Sequence, residues 1–415
     1  MSTILPSSRE TRLEGALALP PSRAAWRTLT EILDAFNPEQ LAAREDELEQ
    51  RLVGWPAHLR TVPGRWFAKV LDGADEPRLS LTRTLDHVLM PEPARSARHA
   101  WTKTPRLRRL TTVRLHDEEF GDDGARSLAE STTLGLLTEL SIGAHIGADG
   151  AATLLSSPRV RGLRTIGLNR NRIGVAGIAA LTSTSDHPTL EALYLGRNAL
   201  DDAALRVLAT LRAPRLTRLD LDFNAFGDAG IEALATSAVF APVRELNLSN
   251  NKLTRESCEI LAACPQLADL RVLFLHNCSL TDECLAVLLA SPYLGALGNL
   301  AVSENHLGMT SFRALAECAA LGGLYELDVC HNRVDPQEAP SRARAPDRTS
   351  LNRHDPRRRG CSAERPRARA AAVRRRLSRR AEALTRAALH REAARPRFRQ
   401  TRASAGLAVA ATRVV

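Results

Sequence analysis

Few residues in this chain have the type and spacing that catalysis demands. Its seven cysteines contain no CxxC pair, and no HExxH, GxSxG, phosphate-binding loop or dinucleotide fingerprint is present. Gly143, Gly147 and Gly150 are wrongly spaced for a nucleotide loop and fall in a turn. Cys264 and Cys318 hold equivalent places two units apart in a repeating pattern, while Cys258 and Cys284 fall on helical segments, so they read as small core residues. His116, His276 and His331 stand too far apart for a metal cluster. No catalytic role, cofactor or metal is expected. What remains is recognition. Tyr194, Phe223 and Phe274, flanked by Arg170, Arg197 and Asp220, have the aromatic and charged composition of a binding hot spot. The plainer alternative is a set of solvated side chains such as any exposed face carries.

Those residues share a frame. LxxLxLxxNxL recurs with first positions at Leu110, Leu137, Leu163, Leu190, Leu216, Val243, Leu270, Leu297 and Leu324, at intervals of 26 or 27 residues. The LxL centre alternates as a strand does, burying positions four and six and exposing position five. One such unit cannot fold alone, because it buries its apolar face only against its neighbours. Position nine bends the chain out of the strand, and a buried amide there satisfies backbone groups that the bend leaves unpaired. Asn171, Asn198, Asn224, Asn251, Asn305 and Asn332 fill it, with Cys278 as a substitute; Glu118 and His145 break the rule, and the second copy is one residue short between Ile142 and Ile146.

Each strand segment is followed by helical spacing, as in GVAGIAALTS from Gly174 and GDAGIEALAT from Gly227. With GxxGxxxLA after LxxLxLxxNxL, residues 105–338 resemble the ribonuclease-inhibitor-like class of leucine-rich repeats, of a bacterial type. The resemblance implies an α/β solenoid of about nine repeats, a curved horseshoe with parallel strands on the concave face and helices on the convex face. It implies a protein partner on the concave face without naming one, since the class spans inhibitors, immune sensors and GTPase regulators.

The ends differ from the array. Residues 1–104 read as a helical N-terminal region, with Leu29–Phe36 and Glu39–Leu52 separated by Asn37-Pro38, and with Trp26, Trp55 and Trp66. It serves either as a cap over the open end of the solenoid, the favoured reading, or as a separate docking domain. From residue 339 an Arg-rich tail follows. The last 76 residues hold 22 arginines, no lysine and five acids, so the 339 before them carry a net −7 against the chain's +10. That tail is either a basic disordered extension or the product of a frame slip near Glu338 to Pro340. Nucleic-acid association through the tail is the alternative function, since phosphate affinity would reside there alone. No secretory signal or membrane span is read, so the protein is expected in the cytoplasm with free thiols.

Overall fold

A computed structural model of the chain describes residues 8–86, 99–116, 120–143, 145–183 and 186–333. The Arg-rich tail, and with it both readings of its origin, lies outside the described residues, as do Glu118 and Ala144.

Five helices come first: α1 (Arg9–Leu17), α2 (Arg23–Leu33), α3 (Pro38–Ala43), α4 (Glu45–Arg51) and α5 (Gly64–Leu71). Asn37 caps α3, its side-chain oxygen accepting from Glu39 N at 2.8 Å, and Pro38 takes the first turn, where its missing N–H costs nothing. The segment Glu39–Leu52, expected as one helix, is two, broken at Arg44. Trp26, Trp55 and Trp66 are buried, with Trp26 and Trp55 edge-on at 6.0 Å and the Trp66 indole N–H donating to Asp34 at 2.6 Å.

The rest is one open sheet of ten parallel strands in strict chain order. Strand β1 (Thr84–Asp86) belongs to no copy of the motif. The nine motif strands follow: β2 (Thr112–Leu115), β3 (Glu139–Ile142), β4 (Thr165–Gly167), β5 (Ala192–Tyr194), β6 (Arg218–Asp220), β7 (Glu245–Asn247), β8 (Val272–Phe274), β9 (Asn299–Ala301) and β10 (Glu326–Asp328). Pairing is position to position: Leu193 faces Leu219, and Leu219 faces Leu246. Helices α6 (Gly121–Glu130), α7 (Ala148–Leu155), α8 (Gly174–Ser183), α9 (Asp202–Leu208), α10 (Asp228–Ala235), α11 (Arg255–Ala262), α12 (Asp282–Leu289) and α13 (Met309–Glu317) cover the other side. Strands stack about 4.8 Å apart and helices about 8–10 Å, so the sheet forms the shorter, concave side of the solenoid.

One hydrophobic cluster runs without interruption from Leu13 to Val329, so the first helices and the repeats share a core. Ion pairs tie the same junction: Glu45 on α4 accepts from Arg106 at 3.3 Å and Arg108 at 2.6 Å, and Asp46 from Arg109 at 3.2 Å. The buried Arg60 guanidinium donates to Leu81 O at 2.8 Å and pairs with Glu49, which also receives Arg83. Arg60 carbonyl oxygen in turn accepts from Arg83 N and Thr84 N, and Thr61 bridges to Thr84, so the N-terminal edge of the sheet is covered by this region.

Candidate functional site

Two ladders of polar side chains hold the repeats in register. The first is the position-nine amide. Asn251 Nδ2 donates to Leu221 O, Leu248 O and Ser249 O at 2.9–3.0 Å, and its Oδ1 accepts from Asn224 N at 2.8 Å. Asn171, Asn198, Asn224, Asn305 and Asn332 donate in the same way to their own turn and to the preceding repeat. Four of the six are buried; Asn224 and Asn332 are half-buried. Cys278 copies only the donor half, with Sγ 3.3 Å from Leu248 O and 3.4 Å from His276 O. Burial pushes its thiol up to about 12. The short second repeat stays on the ladder because Asn171 reaches back to Ile142 O and Ile146 N.

The second ladder lies on the helix side, and sequence reading missed it. An aspartate in the first turn of one helix accepts from the start of the next: Asp122 from Gly147 N at 2.6 Å, Asp202 from Gly227 N at 2.7 Å and Gly230 N at 3.0 Å, Asp282 from Gly308 N at 2.8 Å. Asp228 receives Ser257 N and the Ser257 hydroxyl. These bonds satisfy amides that a helix N-terminus leaves open. They also explain the second glycine of GxxG, since a Cβ at Gly230 would sit 2.8 Å from Asp202 Oδ1. The legible signal was Asp at the head of α6, α9, α10 and α12, as in GDAG.

The candidate binding residues occupy two rows on the concave side. Position five runs Gly167, Tyr194, Asp220, Asn247, Phe274 along consecutive strands. Tyr194 and Phe274 are half-buried rather than fully exposed. Burial raises the Tyr194 phenol above its ordinary value, against the pull of the neighbouring Arg218. Asp220 is buried: its Oδ1 accepts from Asn247 Nδ2 on the next strand at 2.9 Å and from Asp222 N at 3.0 Å. Phe274 stands three strands from Tyr194, about 14 Å away, so the two rings do not adjoin.

Position eight differs in kind. Arg170, Arg197, Phe223, Asn250, Asn277, Glu304 and His331 all have φ between 50° and 63°, the left-handed region. The spacing implied an exposed strand site for Phe223; it is instead a turn, and the residue is 48% exposed. The Arg197 guanidinium lies over that ring, 4.3 Å from its centroid. Arg170, Arg197 and Phe223 therefore form successive rungs, with Tyr194 on the strand beside them. Arg172, two residues beyond Arg170 and exposed, extends the group; the motif leaves its position unspecified, so nothing in the pattern singled it out.

Towards the last repeat, Ser303 Oγ donates to Asp328 at 2.7 Å and lies 2.9 Å from His276 Nδ1, while His276 Nε2 is 3.5 Å from Glu304. Burial raises the Asp328 carboxyl, but Cys330 N–H, Ser303 and His276 together bring it below its ordinary value. The order is wrong for nucleophilic catalysis, where the hydroxyl must give its proton to the imidazole. Among the described residues no group of three His, Cys, Asp or Glu side chains could hold a metal ion, and no helix is long and apolar enough to cross a membrane.

Comparison with known proteins agrees with the repeat. Two leucine-rich-repeat family models match, at residues 214–235 and 242–264. No curated protein matches the chain. Among solved structures, the chain is similar to the yeast Rad7 and Elc1 complex at 16% identity and TM-score 0.38, covering 77% of this chain and 82% of that one. It is also similar to an internalin from Listeria monocytogenes at 18% identity and TM-score 0.35, covering 62% and 77%. The ectodomain of the Arabidopsis receptor kinase HAESA, solved with an N-terminally extended IDA peptide hormone, matches at 18% identity and TM-score 0.31 over 50% of this chain and 32% of that one.

Proposed function

We propose that this leucine-rich-repeat protein is a binding scaffold, of the ribonuclease-inhibitor-like kind and bacterial type, whose protein partner seats on the concave side around Phe223 and Tyr194. In this reading residues 1–104 cap residues 105–338, and the buried free thiols suit a cytoplasmic location. One observation carries it. A bulky phenylalanine at φ 55° occupies a conformation that costs about 1–2 kcal/mol for an L-residue, yet its ring is left in solvent where it contributes little to folding. Asparagine, which tolerates that conformation, stands at the same rung in the next two repeats as Asn250 and Asn277. Phenylalanine at this rung is favoured by a use for the ring, and exposed aromatics beside arginine supply most of the energy in protein interfaces. Capture of partners on immobilised protein, wild type against Phe223→Asn, tests this. A partner lost with the ring supports the reading; if every captured protein binds both forms equally, Phe223 is not the seat.

A further inference from the structure

Arg170 and Arg197 donate their backbone N–H groups to Gly196 O at 2.9 Å and Asp222 O at 2.8 Å, so they stand on adjacent rungs about 5 Å apart. Arg172 shares the turn with Arg170. Among the described residues none of these three guanidiniums has a carboxylate at ion-pair distance. Elsewhere on the repeats, by contrast, Arg114, Arg164, Arg218 and Arg244 are paired with Glu139, Glu191, Glu245 and Asp269. Arg197 is also pre-set: stacking on Phe223 fixes the plane of its guanidinium and leaves its N–H edge free to meet a carboxylate with two parallel hydrogen bonds.

We propose that the rim formed by Arg170, Arg172, Arg197 and Phe223 takes the carboxylates of an acidic, extended segment of a protein partner. This rests on the reading that a partner seats here, and adds the chemistry of what is recognised. Three unpaired cations form a positive island on a body whose first 339 residues carry a net −7. A short acidic peptide with one apolar side chain fits that island and the Phe223 ring. A long polyanion such as a nucleic acid would gain little beyond this island, because Arg114, Arg164 and Arg218 are already paired with Glu139, Glu191 and Glu245.

The test uses the full chain and a ten-residue peptide of Glu, Asp and one Leu carrying a photoreactive group, with labelled positions mapped by mass spectrometry. The controls are the same peptide with Gln and Asn for the acids, and a single-stranded DNA of ten nucleotides. Labelling is expected between residues 165 and 226, reduced about tenfold or more in the triple variant Arg170→Gln, Arg172→Gln, Arg197→Gln and absent with the neutral peptide. The variant's melting temperature should lie within a few degrees of wild type, since none of the three side chains is ion-paired within the fold and only the exposed stacking of Arg197 on Phe223 is lost. Labelling confined to residues beyond Ala339, equal labelling of the triple variant, or preferential labelling of the rim by DNA would each overturn the proposal. If a captured partner is lost with Phe223→Asn but kept by the triple variant, the acidic-segment inference fails while the concave-side scaffold stands; if neither change matters, both fail.

Discussion

Replacing Asn251 by Ala removes the amide where its partners are best defined. The three carbonyls it serves each keep another donor: Leu221 O retains Asn224 Nδ2, Leu248 O the Cys278 thiol, and Ser249 O the amide of Phe223. The group orphaned outright is Asn224 N–H, whose acceptor is Asn251 Oδ1. An unsatisfied buried donor costs about 1–3 kcal/mol, and the lost bonds to carbonyls about 1 kcal/mol for each of the two amide hydrogens, so a total of about 3–5 kcal/mol is expected. Asn251→Cys gives an internal control, because Cys278 shows that a thiol here keeps the donor half; its cost should be about half as large. Urea unfolding followed by far-ultraviolet circular dichroism measures both. If Asn251→Ala lies within about 0.5 kcal/mol of wild type while a core truncation does not, the ladder does not hold the array together.

Leu221→Ala, which empties a fully buried position six, is expected to cost about 2–5 kcal/mol, and an unchanged melting midpoint would show the repeat register to be wrong. Gly230→Ala forces a Cβ against Asp202, Leu205 and Phe226 and should cost about 1–3 kcal/mol, whereas Gly15→Ala in α1 meets nothing within 4 Å and should gain about 0.5–1 kcal/mol; a thermal melt giving the reverse order would contradict the close approach of the helices. At pH 8 the folded protein should leave Cys258 and Cys278 unreactive toward a disulfide reagent while the exposed Cys330 reacts, because burial holds the first two as neutral thiols. Their folded-state values are raised, so the stability this contributes is complete below the ordinary thiol value and declines as pH rises from about 9 toward 12 for Cys278. Rapid modification of either in the native state would mean that the core is open.

The strands and the amide ladder were legible because stacking makes each repeat answer to the same spacing, so Leu, Leu and Asn recur where each slice needs them. Strand β1 was not: Leu85 pairs with Val113, so Thr82 stands where the motif wants its first leucine, and Thr82 and Thr84 are both buried, their hydroxyls donating to Leu79 O and Ala57 O in the N-terminal region. The break at Arg44 was hidden for a similar reason, since helical spacing continues through it. Exposure at the candidate site was the least legible part. Position five is open by periodicity, but Asp220 is buried and bonded to Asn247 on the next strand, and a lone spacing rule cannot see a cross-strand partner. The left-handed turn at position eight ran against residue type, because Arg and Phe there give no sign of positive φ. Only the backbone bonds to the following repeat, such as Phe223 N to Ser249 O at 2.9 Å, impose it.

The most direct measurement is the affinity of a captured partner for three forms of the full protein: wild type, the double variant Tyr194→Ala with Phe223→Asn, and the chain lacking residues 340–415. Losing two hot-spot rings is expected to weaken binding by at least about 4 kcal/mol, close to a thousandfold, while the half-buried Tyr194 adds a stability cost of about 1–2 kcal/mol that leaves the protein folded. Removing the tail is expected to leave binding intact. A partner that tolerates the double variant, disappears with the tail and loses affinity steeply as salt rises would contradict the concave-side site and make the tail the functional element.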